Sequence, residues 1–461
     1  MENKLTKKYG LLTAICMVVG IVIGSGVFFK AQTVLQKTGG DMPLGIIAWI
    51  IGGLVMIACI LAFSSMAQKY EKVNGVVDYA EATMGKKYAY LMGWFLTTIY
   101  YPTMTVALAW LSARYSLEFI RSVAPNFPLL NMGGAETILG PECIILMLFY
   151  LCAAYALNVL SPKLAGKFQV STTFIKLIPL CLMAVVGIVY GLVNGTLANN
   201  FANAAEGYTV SGNPLFAAVC STVFAYEGWI IATSINAEIK DSKKNLPRAL
   251  VIGGLIIMAI YIFYYIGVAG GASNQTLADK GATQAFTNVF GNVLGNILNL
   301  FIAISCMGTL NGLMVGCCRG MYSLAARDSG PAPEVFGQVD KATNSATNSS
   351  VFGLLACAAW GVYFYLSNLA GTWSGIFVFD PTEIPIVTIY AMYLPIFIAW
   401  MKKEKDESVM RRFVLPILAF IGSAFMVFAC ILSHKMACVW YLIVFAVIMA
   451  IGALFMNGKK K

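Results

Sequence analysis

The chain has 461 residues, 59% of them hydrophobic and only 11% charged, with a formal net charge of +10. A mean hydropathy of +0.77 excludes a soluble multidomain protein of this length and makes a lipid bilayer the expected environment. The basic residues form no single contiguous face, so nucleic acid is not an expected partner.

Apolar runs of about 20 residues recur along the whole chain, the length that crosses roughly 30 Å of hydrocarbon. They fall near 10–36, 43–67, 88–119, 140–160, 168–194, 213–237, 249–270, 291–323, 350–367, 374–400, 412–432 and 437–456. This predicts an all-α integral membrane protein with about twelve transmembrane helices. The first run is too long for a signal-peptide core and lacks an Ala-x-Ala-like site, so no cleaved leader is expected. Lys and Arg gather in alternate connections, as at Lys69, Lys72, Lys86 and Lys87, at Lys163 and Lys167, and at Lys240, Lys243, Lys244 and Arg248, while the stretch near 195–212 has none. That alternation predicts both termini in the cytoplasm and an even number of spans.

The first run is interrupted by Gly24-Ser25-Gly26. Unpaired backbone groups in hydrocarbon cost several kcal/mol each, so a spanning helix breaks only where the break lines a cavity. Where this helix restarts, the amides of Ser25, Gly26 and Val27 are expected to be free, with the Ser25 hydroxyl beside them, a preformed anion site at a helix N-terminus. The carbonyls released at Val22 and Ile23 offer a cation site. The sixth run is interrupted in the same way, by Phe224-Ala225-Tyr226-Glu227-Gly228-Trp229, and carbonyls at Phe224 and Ala225 would end its first half with partial negative charge. An anion site facing a cation site suits a zwitterion, with an α-amino acid the obvious candidate. Two breaks, each opening one half of the chain, predict a substrate site between two structural repeats. The whole of 1–461 is then a single membrane transport domain: repeat one at about 9–194, repeat two at about 213–400, inverted because five spans is an odd number, and accessory helices at about 411–456.

Other polar residues lie inside the predicted spans. Lys176 is nine residues past Lys167, about 13 Å deeper along a helix, and a Lys near the midplane is expected to face inward onto a partner. Phe224 is expected to close over the substrate, and Tyr226 to face the pocket or another helix. Glu227 has three readings: it pairs with the substrate, it pairs with Lys176, or it carries a proton. Asp380 and Glu383, beside Pro381 and Pro385, are expected near the outer vestibule, and Gly308, Gly312, Gly316 and Gly320 form a packing stripe. The twelve cysteines lie mostly inside apolar runs, and the one histidine, His434, falls in a predicted outer loop. With no Cys-x-x-Cys pair or His/Cys cluster, neither a metal nor a cofactor is expected, and no catalytic residue is assigned.

Several stretches resemble the amino acid–polyamine–organocation superfamily. Ile23-Gly24-Ser25-Gly26-Val27-Phe28 is similar to its helix-one motif and Phe224-Ala225-Tyr226-Glu227-Gly228-Trp229 to its helix-six motif. Asn74-Gly75-Val76-Val77-Asp78-Tyr79, Asn245-Leu246-Pro247-Arg248-Ala249-Leu250 and Ser305-Cys306-Met307-Gly308-Thr309-Leu310-Asn311-Gly312 narrow the resemblance to the L-amino acid transporter family. It implies a five-plus-five inverted repeat with helices one and six discontinuous, and sodium-independent exchange of neutral amino acids. The nearest type is a bacterial alanine–serine–cysteine exchanger in the cell membrane. Carried over by position, carboxylate contacts fall on the amides of Ser25 and Gly26, amine contacts on carbonyls near Val22, Phe224 and Glu227, and Lys176 stands in for the sodium ion of related transporters. Glu227 departs from the family, where a small residue is usual. The loop from Arg121 to Pro141 has no Cys, so no disulfide-linked ancillary subunit is expected. The rival readings are a proton-coupled amino acid symporter of the same fold and an ion channel. A channel would need a continuous polar pore or a ring of charge, and the sequence has neither.

Overall fold

The structure is a computed structural model that describes residues 7–70, 72–124, 141–208, 213–370, 372–382 and 384–456. Glu383 and most of the loop from Arg121 to Pro141 lie outside the described residues. The described chain is helical, and its only extended pairings are the isolated bridges Tyr9–Ile239 and Asp340–Ser345.

Two broken helices sit at the centre. The first is α1 (Leu11–Val22) followed by α2 (Gly26–Lys37), bent by about 40° at the break. It is followed by α3 (Met42–Lys69), whose N-cap Asp41 accepts a hydrogen bond from the Leu44 amide at 2.8 Å with Pro43 in the first turn. Next come α4 (Gly75–Met84), α5 (Lys86–Phe95) and α6 (Tyr101–Val123), the last two joined by a π turn at Leu96–Tyr100. Then follow α7 (Pro141–Leu160) and α8, which runs over Pro162–Val193. The second broken helix is α9 (Pro214–Tyr226), capped by Asn213 and continued by a 3-10 segment, Trp229–Glu238. After it come α10 (Ser242–Gly271), α11 (Ala282–Ala325), α12 (Thr347–Leu369), α13 (Ile384–Lys403), α14 (Met410–His434) and α15 (Met436–Leu454).

Among the described residues, ten helices are individually long and apolar enough to cross a membrane, and the bent pair α1–α2 makes an eleventh. The predicted third span is the continuous helical stretch from Lys86 to Val123, whose Thr97, Thr98, Thr103 and Thr105 lower its hydropathy. Each half of the chain opens with a broken helix and continues with a long unbroken one, of 28 residues in α3 and 30 in α10. This is the order an inverted-repeat transporter fold requires. The halves meet at the breaks: α1 packs on α8, α10, α11 and the 3-10 segment, and α2 packs on α9. At the periphery α15 leaves Leu442, Val447, Ile451 and Leu454 exposed, an apolar face that suits hydrocarbon.

Two predicted outer connections differ from expectation. The stretches 194–212 and 271–289 hold short helices at Thr196–Ala202 and Asn274–Lys280, and α11 begins at Ala282, with a kink at Gly291 (φ 83). Buried side-chain amides order them: Asn200 donates to the Ala269 and Ala272 carbonyls at 2.7 and 2.8 Å, and Asn274 donates to the Asn200 and Asn203 carbonyls at 2.8 Å each. The glycine stripe behaves as expected, since a methyl group at Gly308 or Gly312 would run into Thr172 or Ile21, and one at Gly316 or Gly320 into Tyr101 or Thr97.

Candidate substrate site

Helix α1 ends because Ile23 turns extended (φ −74, ψ 91), and Ser25 then caps α2 without using its side chain. The Ser25 hydroxyl is buried beside the Cys306 thiol and has no oxygen or nitrogen partner among the described residues. Among the described residues no backbone carbonyl accepts from the Gly26 or Val27 amide, which leaves these donors available at a helix N-terminus. Gly26 is required by proximity: a Cβ there would lie 3.0 Å from Ala225 Cα and 3.4 Å from the Phe224 ring. The two breaks therefore touch.

The second break comes slightly later than its sequence motif begins. Helix α9 continues through Tyr226, Glu227 is extended (φ −81, ψ 161), and Gly228 takes a left-handed conformation (φ 105) that favours glycine. Val22, Gly24, Ser25 and Gly26 from the first break and Phe224, Glu227 and Gly228 from the second line one small cavity, closed by Met104, Leu108, Thr309 and Leu313. The space it leaves for the centre of a water molecule is about 20 Å³, room for little more than one water. A larger ligand requires a wall to move.

Three expected site residues fall outside this lining. Tyr226 turns away, donating its hydroxyl to the Trp49 carbonyl at 3.0 Å and packing its ring on Trp49 and Tyr261. The Ile23 carbonyl is taken by Lys176, at 2.5 Å, and by Ser305 and Thr309. Ala225 packs on Gly26, and its carbonyl accepts from the Tyr261 hydroxyl at 3.0 Å. That same hydroxyl lies 3.1 Å from the Val22 carbonyl, so one phenol bridges the two breaks.

Lys176 is fully buried and faces inward, as its depth predicts. Its ammonium donates to the carbonyls of Gly20, Ile23 and Ser305 at 2.8, 2.5 and 3.0 Å and to the Thr309 hydroxyl at 3.3 Å. It thus ties α8 to the end of α1 and to α11. It does not pair with Glu227, whose buried carboxyl lies against Tyr390 and whose Oε1 accepts from the Tyr100 hydroxyl at 2.5 Å.

The family model for amino acid permeases matches residues 9–454. The chain belongs to the amino acid permease family. It is 30% identical over 448 residues to the serine/threonine exchanger SteT of Bacillus subtilis, covering 95% of this chain and 94% of the exchanger. It is 25% identical over 436 residues to the mouse Asc-type amino acid transporter 1, covering 94% of this chain and 78% of that one. It is also 27% identical over 339 residues to the human large neutral amino acids transporter small subunit 2, covering 73% and 60% of the two chains. The protein is an amino acid transporter of the membrane and not an enzyme.

The two ends of the permease differ. Beyond Phe224, away from the N-terminus, lie cavities of about 240 and 480 Å³, both lined by Phe224 and Lys30. The Lys30 ammonium sits 5.3 Å from the centre of the Phe224 ring, within cation–π range. Phe224 lines all three cavities and so stands between the site and these two larger spaces. Asp380 lines the larger of the two, accepting from the Thr382 amide and hydroxyl at 2.7 and 2.6 Å. His434, expected in a solvated loop, is the last residue of α14 and half-buried against the smaller cavity.

The opposite end is sealed by charge. Glu238 is fully buried between Arg319, with which it pairs, and Lys8 at 3.2 Å. The Lys8 and Tyr9 amides donate to the Glu238 carbonyl at 2.7 and 3.0 Å. Arg327 joins Asp78 to Glu81, and Lys72 reaches Glu81 at 2.8 Å. Burial raises the Glu81 carboxyl, but Lys72 and Arg327 outweigh it and hold the group below its usual value. Sequence reading missed Tyr100 and Tyr261; each is a phenol inside an apolar run, which signals a buried partner without naming it.

Proposed function

We propose that this permease exchanges small neutral L-amino acids, such as alanine, serine and cysteine, across the bacterial cell membrane without sodium. One amino acid leaves for each that enters, as the two broken helices rock against the rest of the fold with both termini in the cytoplasm. The carrying observation is the shared cavity: Gly24, Ser25 and Gly26 at the start of α2 and Phe224, Glu227 and Gly228 at the end of α9 line one space where the two breaks touch. A helix N-terminus beside a helix C-terminus offers donors to a carboxylate and acceptors to an ammonium group, which suits a zwitterion. The tightness of the space, walled by Met104, Leu108 and Leu313, favours a short side chain. Lys176 fills the place at the end of α1 where a cation would bind, so a sodium ion is not needed there. The serine/threonine exchanger among the relatives supports exchange of small amino acids. A proton-coupled symporter is the second reading, favoured by the buried Glu227 carboxylate.

Counterflow in proteoliposomes tests the proposal: internal unlabelled alanine, serine or leucine against external labelled alanine, with and without sodium. Accumulation driven by internal alanine or serine, unchanged by sodium, is expected. Uptake into empty vesicles driven by an imposed pH gradient would favour the symporter instead.

A further inference from the structure

We propose that the cavity of about 240 Å³ beside Phe224 is a binding site for a small organic carboxylate, separate from the substrate site, and that its occupation slows transport. Its charged lining is of one sign. Lys30, Lys37 and His434 reach it, and among the described residues no Asp or Glu does. The sequence builds this on two helices. Lys30, Thr33 and Lys37 stand at i, i+3 and i+7 on α2, which is one face of a helix. Ser433 and His434, at the end of α14, line the same space. Glu227 lies against Tyr390, a wall of the cavity, without lining it. The neighbouring cavity of about 480 Å³ shares Lys30 but adds Arg114 and Asp380, so its charge is mixed.

Lys30 anchors the site. It is only 7% exposed, and a charge withdrawn from water attracts an opposite charge more strongly than an exposed lysine does. The remaining walls include Ile386, Val387 and Met426, which favour a ligand with a short carbon chain over an inorganic ion. The volume, about 240 Å³, falls below the roughly 300–1,000 Å³ of drug-sized sites, so the ligand is small. The link to transport is Phe224. The substrate cavity needs a wall to move before it can take a ligand, and Phe224 is the wall it shares with this one. The Lys30 ammonium lies 5.3 Å from the centre of that ring. A carboxylate seated on Lys30 therefore fills the space beside the ring and hinders its movement. This last step rests on the reading of the smaller cavity as the substrate site; the binding step does not.

Titration calorimetry of succinate into the purified permease, in phosphatidylcholine nanodiscs and at fixed ionic strength in chloride, reads the site without transport and without an anionic lipid headgroup. Saturable binding is expected, with none for neutral succinamide. L-aspartate, which adds an ammonium to the same skeleton, should bind more weakly because the lining is basic. Lys30→Met should weaken succinate about 30-fold or more, the scale for removing one partner of a buried charge pair, and Lys30→Arg should keep most of the affinity. The double variant Lys37→Gln with His434→Gln gives an independent reading away from Phe224 and should cost about tenfold, since exposed partners contribute less. Absent succinate binding, equal binding of succinamide, tighter binding of aspartate, or an affinity unchanged in these variants would overturn the proposal. In labelled serine counterflow, external succinate should lower the maximal rate and leave the half-saturating serine concentration unchanged. Competition with serine would put the acid in the substrate site, and an unchanged rate would break the link to transport; either overturns the proposal. If the wild type exchanges no amino acid, the proposed function fails, while the carboxylate site still stands or falls by the titration.

Discussion

Replacing Lys176 by Met keeps the unbranched stem up to the ε position and removes the ammonium. That group donates to four acceptors, three of them carbonyls within 3.0 Å. Hydrogen bonds from a charged donor contribute about 1.5–3 kcal/mol each, so the three strong ones represent roughly 5–9 kcal/mol. Against this stands the cost of burying the ammonium, several kcal/mol, which the substitution relieves. Two of the abandoned acceptors are not orphaned, because the Thr309 hydroxyl lies 3.0 Å from the Gly20 carbonyl and the Ser305 hydroxyl 3.3 Å from that of Ile23. The net loss should therefore be about 2–4 kcal/mol in favour of a disordered first break, or roughly 30- to 900-fold in its population. Labelled serine counterflow at matched incorporation should fall by that order. In Lys176→Ala, where the same oxygens surround a vacated space, high sodium should restore part of the rate. Exchange within threefold of wild type in Lys176→Met would refute the reasoning.

Other substitutions test the remaining contacts. Gly26→Val places methyl groups against Ala225 and Phe224; equilibrium binding of serine should weaken more than about 100-fold with the melting temperature little changed, since the clash falls on the meeting of the breaks and not on the bundle. Tyr261→Phe removes the hydroxyl whose one hydrogen is shared between the Val22 and Ala225 carbonyls, a hydrogen bond of about 1 kcal/mol, so serine affinity should drop about fivefold by the same measurement. Phe224→Ala takes away the ring that stands between the site and the two larger cavities. Leucine should then compete with alanine at least about tenfold better than in the wild type, as read by inhibition of counterflow.

The first break was legible because Gly24-Ser25-Gly26 is locally unfit for a membrane helix, and Lys176 because depth alone forces a buried charge to find acceptors. The second break was legible in place but not in register. Phe224, Ala225 and Tyr226 still complete helix α9, and what stops it is the extended Glu227 with the left-handed Gly228. Nothing in the residue types assigned Tyr226 to Trp49 or Tyr261 to the two breaks, since those partners lie 177, 239 and 36 residues away. The short outer helices were hidden for a similar reason. Their order depends on Asn200 and Asn274 reaching carbonyls at the end of α10 and across the neighbouring connection, where local polarity reads only as loop.

An experimental structure of the permease with L-serine bound bears most directly on the account. The substrate carboxylate is predicted to lie within hydrogen-bonding distance of the Gly26 amide and the Ser25 hydroxyl, with its ammonium on the Glu227 side and Phe224 folded over it. Unbroken helices through 22–27 and 226–229, or serine held in the two larger cavities without touching either break, would contradict it.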